Sequence, residues 1–136
     1  MKELTLQATL ENIPAVTAFI DEQLEALNCP MKAQMQIDVA IDELFSNIAR
    51  YAYVPGTGDV TVRLDTQEQP KAVIITFIDS GTPFNPLDAE APDISLSAKD
   101  RPIGGLGIHL VRKTMDDMHY ERADNQNVLS IQKNLQ

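Results

Sequence analysis

The stretch Ile37-Asp38-Val39-Ala40-Ile41-Asp42-Glu43-Leu44-Phe45-Ser46-Asn47-Ile48 decides the fold. Ile37, Ile41, Leu44, Phe45 and Ile48 recur at three- and four-residue intervals, which lays them along one stripe of an α-helix. The helix is expected over about 31–51, because Asn28-Cys29-Pro30 precedes it and the turn-forming Val54-Pro55-Gly56-Thr57-Gly58 follows it. A stripe of that length must be buried against another layer, and the sequence on both sides supplies strands.

Downstream, residues 59–66 and 71–78 read as two strands joined by Gln67-Glu68-Gln69-Pro70, the second rich in the β-branched Val73, Ile74, Ile75 and Thr76. Upstream, residues 3–9 alternate, with Leu4, Leu6 and Ala8 on one side and Thr5, Gln7 and Thr9 on the other, the pattern of a half-buried strand. Residues 11–27 carry Ile13, Val16, Ile20, Leu24 and Leu27 at helical spacing, with Pro14 near the start, where a helix tolerates it. Toward the C-terminus, residues 108–115 read as a short helix with Ile108, Val111 and Met115 on one face. Two strands, 118–123 and 128–133, follow around the turn-prone Asp124-Asn125-Gln126-Asn127. The order strand, helix, helix, strand, strand, long loop, helix, strand, strand predicts an α+β fold. It should be a two-layer α/β sandwich, its mixed, mainly antiparallel sheet covered on one face by helices. Residues 1–136 are expected to form a single domain with a mobile loop over about 82–107, a length at which an unstructured connection is more often functional than incidental.

With 136 residues, 43% of them hydrophobic, the chain can bury one core. Eleven Lys and Arg against twenty Asp and Glu leave a formal charge of -9, which repels phosphate backbones and anionic lipid in the absence of a local basic patch. Nonspecific nucleic-acid or membrane-surface binding is therefore not expected. A single cysteine, Cys29, makes no internal disulfide, no cleavable leader pattern opens the chain, and no apolar run approaches the roughly 20 residues that cross a bilayer. The expected setting is cytoplasmic. His109 and His119 have no cysteine or further histidine at ligand spacing, so no zinc site is expected, and the five methionines read as core filler.

Three segments carry residues that packing does not demand. Glu43 and Asn47 stand one helical turn apart, off the apolar stripe. Taken alone they make a solvated polar face; alternatively, a carboxylate and a carboxamide side by side serve as a general base and an oxygen ligand for Mg²⁺. Asp79-Ser80-Gly81-Thr82-Pro83-Phe84 ends the most apolar strand, and reads either as a plain turn or as a fixed carboxylate accepting an amino group of a planar ligand, with Gly81 allowing close approach. Gly104-Gly105-Leu106-Gly107 runs into a helix. One glycine would make the turn, so three suggest a phosphate cradle of backbone N–H groups at the positive end of the helix, although a hinge would use glycine too. Neither the P-loop nor the dinucleotide fingerprint is present.

In this order and on these elements, the three segments resemble the nucleotide-binding fold of gyrase, histidine kinases, the ninety-kilodalton heat-shock chaperone and mismatch-repair ATPases. More narrowly, the chain resembles the bacterial anti-sigma-factor serine/threonine kinases of the SpoIIAB and RsbW type, over essentially its whole length. The match lies in Asp42-Glu43-Leu44-Phe45-Ser46-Asn47, in Asp79-Ser80-Gly81-Thr82-Pro83-Phe84-Asn85-Pro86 and in Gly104-Gly105-Leu106-Gly107-Ile108-His109-Leu110-Val111.

The resemblance implies a Bergerat-type ATP-binding fold with an ATP lid over about 82–107. It implies Glu43 as general base toward a Ser or Thr hydroxyl, and Asn47 as ligand to Mg²⁺ on the ATP phosphates. Asp79 would receive the adenine amino group, with Gly81 beneath the ring. Gly104, Gly105, Leu106 and Gly107 would line the phosphates, and Arg101 would neutralise the γ-phosphate. The implied partners are a small antagonist protein, phosphorylated on Ser or Thr, and a sigma factor held in partner switching, with the kinase a homodimer joined through its first strand and helix. The chain departs from the family where Gln126-Asn127 replaces a frequent Gly-Thr near adenine, and the lid carries only Lys99 and Arg101 as positive charge. A nucleotide-binding regulator without kinase activity is the competing reading, and Glu43 favours the kinase because a pure binder needs no base. A detached ATPase portion of a histidine kinase is disfavoured by the lack of a phospho-acceptor helix.

Overall fold

An apolar helix stripe needs a sheet beneath it, and this chain draws that sheet from both of its ends. The computed structural model describes residues 1–88 and 105–135. Arg101, Gly104 and the middle of the expected lid lie outside the described residues, as do the side chains of Gly105 and Leu106. The chain opens with strand β1 (Lys2–Gln7), makes a short 3₁₀ turn, and enters helix α1 (Ile13–Ala26) with Pro14 in its first turn, where no N–H is needed. Helix α2 (Met31–Asn47) follows, then strands β2 (Asp59–Glu68) and β3 (Lys71–Asp79). After the segment 89–104, helix α3 (Gly105–Thr114) leads into strands β4 (Asp117–Ala123) and β5 (Gln126–Asn134).

The five strands lie in the order β1-β2-β3-β5-β4, and every pairing among the described residues is antiparallel. One face carries Val60, Val62 and Leu64 of β2, Val73, Ile75 and Phe77 of β3, and Leu129 and Ile131 of β5, all buried. Against it pack Val16, Ile20 and Leu24 of α1, Ile37, Ile41, Leu44 and Phe45 of α2, and Ile108 and Val111 of α3. Each such side chain, once fully buried, contributes about 1.5–3 kcal/mol. The opposite face is polar at its β1–β2 edge, where Arg63 Nε donates to Glu3 Oε2 at 2.8 Å. The outward side of α2 carries Met31, Met35 and Val39, spaced four apart and exposed, so these two methionines fill no core.

Several boundaries differ from the sequence expectation, Gln67 and Glu68 of the expected turn, for example, belonging to β2; three bear on the site, each for a local reason. Helix α2 does not continue as α-helix to Tyr51; it widens at Ile48–Ala52 into a π-helical turn. That turn buries Ala52, whose carbonyl accepts the Thr82 N–H at 2.8 Å. The last hairpin turns on Asp124 and Asn125 alone, with φ of 54° and 60°, as a two-residue turn requires. Gln126 and Asn127, expected in the turn, thus belong to β5. Helix α3 begins at Gly105, three residues before the expected start, so Gly105 and Gly107 are inside its first turn.

Candidate functional site

Alternation carries the core face of β3 from Val73 through Ile75 and Phe77 to Asp79, so the last residue of the strand turns its carboxylate inward and is 5% exposed. The same alternation in β5 runs back from Ile131 and Leu129 to Asn127, also 5% exposed and paired in register with Asp79. A carboxylate and a carboxamide buried side by side destabilise a fold unless their polar atoms find partners. Asp79 Oδ1 accepts from the Gly81 N–H and from Asn127 Nδ2, both at 2.9 Å. Asn127 Nδ2 also donates to the Thr82 carbonyl at 2.9 Å. Its Oδ1 accepts from the Tyr120 hydroxyl at 2.5 Å and from the Phe84 N–H at 3.3 Å. Among the described residues, no donor reaches Asp79 Oδ2.

This anchor forms one wall of a cleft whose other walls are mostly apolar: Leu44, Ile48, Ala52, Phe84, Pro86 and Leu129, with Asn47 and Tyr120 adding polar atoms. Counting its open mouth the cleft holds about 410 Å³, but only about 40 Å³ is open to the centre of a water-sized sphere. That is room for about three waters, and the half-exposed Phe84 is among the lining residues.

The loop leaving β3 is fixed from several sides. The Tyr53 hydroxyl donates to the Asp59 carbonyl at 2.6 Å and accepts the Ser80 N–H at 2.7 Å. Burial pushes that phenol above its ordinary pKa. Arg122 Nη1 holds the Gly81 carbonyl at 2.8 Å. A Cβ at Gly81 would run into the Ala52 peptide, so the close approach that this glycine permits is to the π-helical turn.

On α2, Asn47 reaches the cleft, while Glu43, one turn earlier, lies against the start of α3: a Cβ at Gly107 would fall on the Glu43 carboxylate. The first N–H groups of a helix have no partner inside it, and the helix dipole favours negative charge there. Glu43 therefore stands beside a surface suited to anionic oxygens. Asp42, its neighbour, is exposed.

The structure thus places Asn47 and Asp79 among the residues lining the cleft, Gly81 beside Asp79 against the Ala52 peptide, and Glu43 against Gly107, with α3 starting at Gly105. Tyr120, which no motif marked, escaped the sequence reading, and Asn127 entered it only as a departure from the family's Gly-Thr near adenine, not as a buried partner of Asp79. The signal for Asn127 was available, because counting back by twos from Ile131 and Leu129 lands on it.

Residues 6–133 match the histidine kinase-like ATPase domain family. Over 100 residues the chain is 27% identical to the serine/threonine-protein kinase BtrW of Bordetella bronchiseptica, covering 74% of this chain and 70% of that one. Over 95 residues it is 27% identical to the serine-protein kinase RsbW of Bacillus mycoides, covering 67% of this chain and 58% of its relative, less than two thirds of the relative's length. The catalytic domain of the histidine kinase ThkA superposes with a TM-score of 0.51 at 15% identity, covering 99% of this chain and 98% of that one, a likeness of fold.

Proposed function

Because the chain belongs to the histidine kinase-like ATPase domain family, we propose that it is an ATP-binding protein serine/threonine kinase of the anti-sigma-factor type. It phosphorylates a Ser or Thr of a small antagonist protein and otherwise sequesters a sigma factor. The kinase names of its relatives at 27% identity support this reading. The observation that carries it is the Asp79 carboxylate, buried at a cleft wall with one oxygen engaged twice and the other met by no donor among the described residues.

In this reading Asp79 Oδ2 accepts from the exocyclic amino group of adenine. The backbone of Gly105, Leu106 and Gly107 meets the phosphates at the N-terminus of α3, where the helix dipole adds to it, and Gly104, which lies outside the described residues, belongs to the same proposed cradle. Mg²⁺ takes only one or two protein oxygens beside phosphate and water, and the Asn47 carboxamide, which reaches the cleft from α2, would be such a donor. When bound, the ion would offset charge on the phosphate oxygens. Glu43 takes the proton of the attacking hydroxyl, and Arg101 offsets charge on the γ-phosphate.

Homodimerisation through β1 and α1 belongs to the same proposal, and β1 is an edge strand with one side unpaired in the sheet. The cytoplasm is the proposed setting; no helix among the described residues is long and apolar enough to cross a membrane.

Calorimetric titration with ATP, with and without Mg²⁺, followed by transfer of labelled phosphate to candidate antagonist proteins, tests the reading. Binding and transfer are expected, and Glu43→Ala should abolish transfer while ATP affinity stays within about threefold. Equal loss of both would remove Glu43 from the role of base. Binding without transfer to any candidate would favour a regulator that acts by binding alone.

A further inference from the structure

Resting on the nucleotide reading above, we infer that Asn127, held by Tyr120, is the positioning residue that restricts Asp79 to a single accepting oxygen and thereby sets which purine the cleft takes. The amide of Asn127 has only one satisfactory orientation. Its nitrogen faces two acceptors, Asp79 Oδ1 and the Thr82 carbonyl, each at 2.9 Å. Its oxygen faces two donors, the Tyr120 hydroxyl at 2.5 Å and the Phe84 N–H at 3.3 Å. Turning the amide over would set like against like at three of the four contacts, the Tyr120 hydroxyl alone being able to accept as well as donate.

So locked, Nδ2 shares Asp79 Oδ1 with the Gly81 N–H, and that oxygen has no capacity left. A carboxylate with both oxygens open can grip the N1–H and the 2-amino group of guanine together, in a fork of two parallel hydrogen bonds. With Oδ1 engaged, only Oδ2 remains, which suits one exocyclic amino group. The second guanine donor would then be buried without a partner, a loss that strongly favours the ligand lacking it. Tyr120 contributes by holding Asn127 in this orientation, its proton directed to Asn127 Oδ1. Threonine at this position would hold Oδ1 through its single hydroxyl proton but could not bond the Thr82 carbonyl at the same time. Asparagine does both, and so also ties the base anchor to the backbone at residues 82 and 84.

The test is the ratio of ATP to GTP affinity, measured by calorimetry on the full chain, with a thermal melt of each variant. Wild type should prefer ATP by about 10- to 100-fold. Asn127→Leu, which keeps the volume and removes the donor, should cut that ratio by about tenfold, chiefly through tighter GTP binding. Tyr120→Phe, which takes one of the two donors from Asn127 Oδ1 and so loosens Nδ2 on Asp79 Oδ1, should cut it by about threefold, and Asn127→Thr, which keeps a hydroxyl donor for Oδ1, should retain most of the preference. Should Asn127→Leu fail to fold, the Tyr120→Phe ratio decides. Equal weakening of ATP and GTP in the folded variants, with the ratio unmoved, would make Asn127 merely structural and overturn the inference. Failure of wild type to bind ATP would instead overturn the nucleotide reading and this inference with it.

Discussion

Asp79 is buried because its place in the strand alternation says so, and it is tolerated because Gly81 and Asn127 serve one of its oxygens. Asp79→Asn can keep an oxygen toward those two donors, but it then offers the cleft an amide N–H₂ where the carboxylate offered an acceptor. ATP and ADP should weaken alike, each by roughly 10- to 100-fold, since both carry the same base. Calorimetry with the two nucleotides checks this, and an unchanged affinity would remove Asp79 from the base site. Glu43, Asn47, Asp79 and Gly107 were legible in the sequence because each stands in a short motif on a well-defined element. Asn127 was not, because a four-residue turn read across 124–127 hid its place in the core alternation of β5. Arg101 and Gly104 lie outside the described residues.

Between α1 and α2, Asp21 and Asp38 each have a buried Oδ1 without a hydrogen-bond partner among the described residues. Burial, and then the hydrogen bond and negative charge of Asp21, raise Asp38 from 3.8 to about 7, so the fold favours a protonated carboxyl there. The same burial, with the charge of Asp38 behind it, pushes the Cys29 thiol upward, while Lys71 opposes. A raised acid binds its proton more tightly folded than unfolded. Its contribution is fully present below about pH 4 and is lost as pH rises through about 7. The melting temperature should therefore fall between these limits. Asp38→Asn, which has no proton to lose, should flatten that slope, as melts across the pH range will reveal; an unchanged slope would put the titrating group elsewhere. Sequence periodicity found all three helices but could not show where α2 becomes a π-helical turn, whose Ala52 carbonyl is met by the Thr82 N–H from the distant loop that leaves β3. Nor did it show the first turn of α3, where glycines concealed helix behind a composition typical of loops.

On the scale of the whole chain, the formal charge of -9 acts on any anionic ligand as it approaches. Screening shortens that repulsion. Without Mg²⁺, ATP affinity should therefore rise between about 20 and 200 mM NaCl as the Debye length shrinks severalfold, and with Mg²⁺ the dependence should be shallower. Titrations at several salt concentrations check this, and an affinity that falls with salt would mean that local positive potential at the site outweighs the net charge. The layer order and the antiparallel bias of the sheet were legible because apolar periodicity is a property of long segments. The register that sets Asp79 opposite Asn127 was not, because β3 and β5 pair across the intervening α3 and β4, so no local turn fixes it.

The network around Asp79 has an optical consequence. The chain contains no tryptophan and three tyrosines. Tyr120 bonds to Asn127 at the cleft wall, and Tyr53 bonds to the residue after Asp79. Two of the three tyrosines are thus tied to the residues around Asp79, and a purine arriving there would register as a change in tyrosine fluorescence from the unlabelled protein.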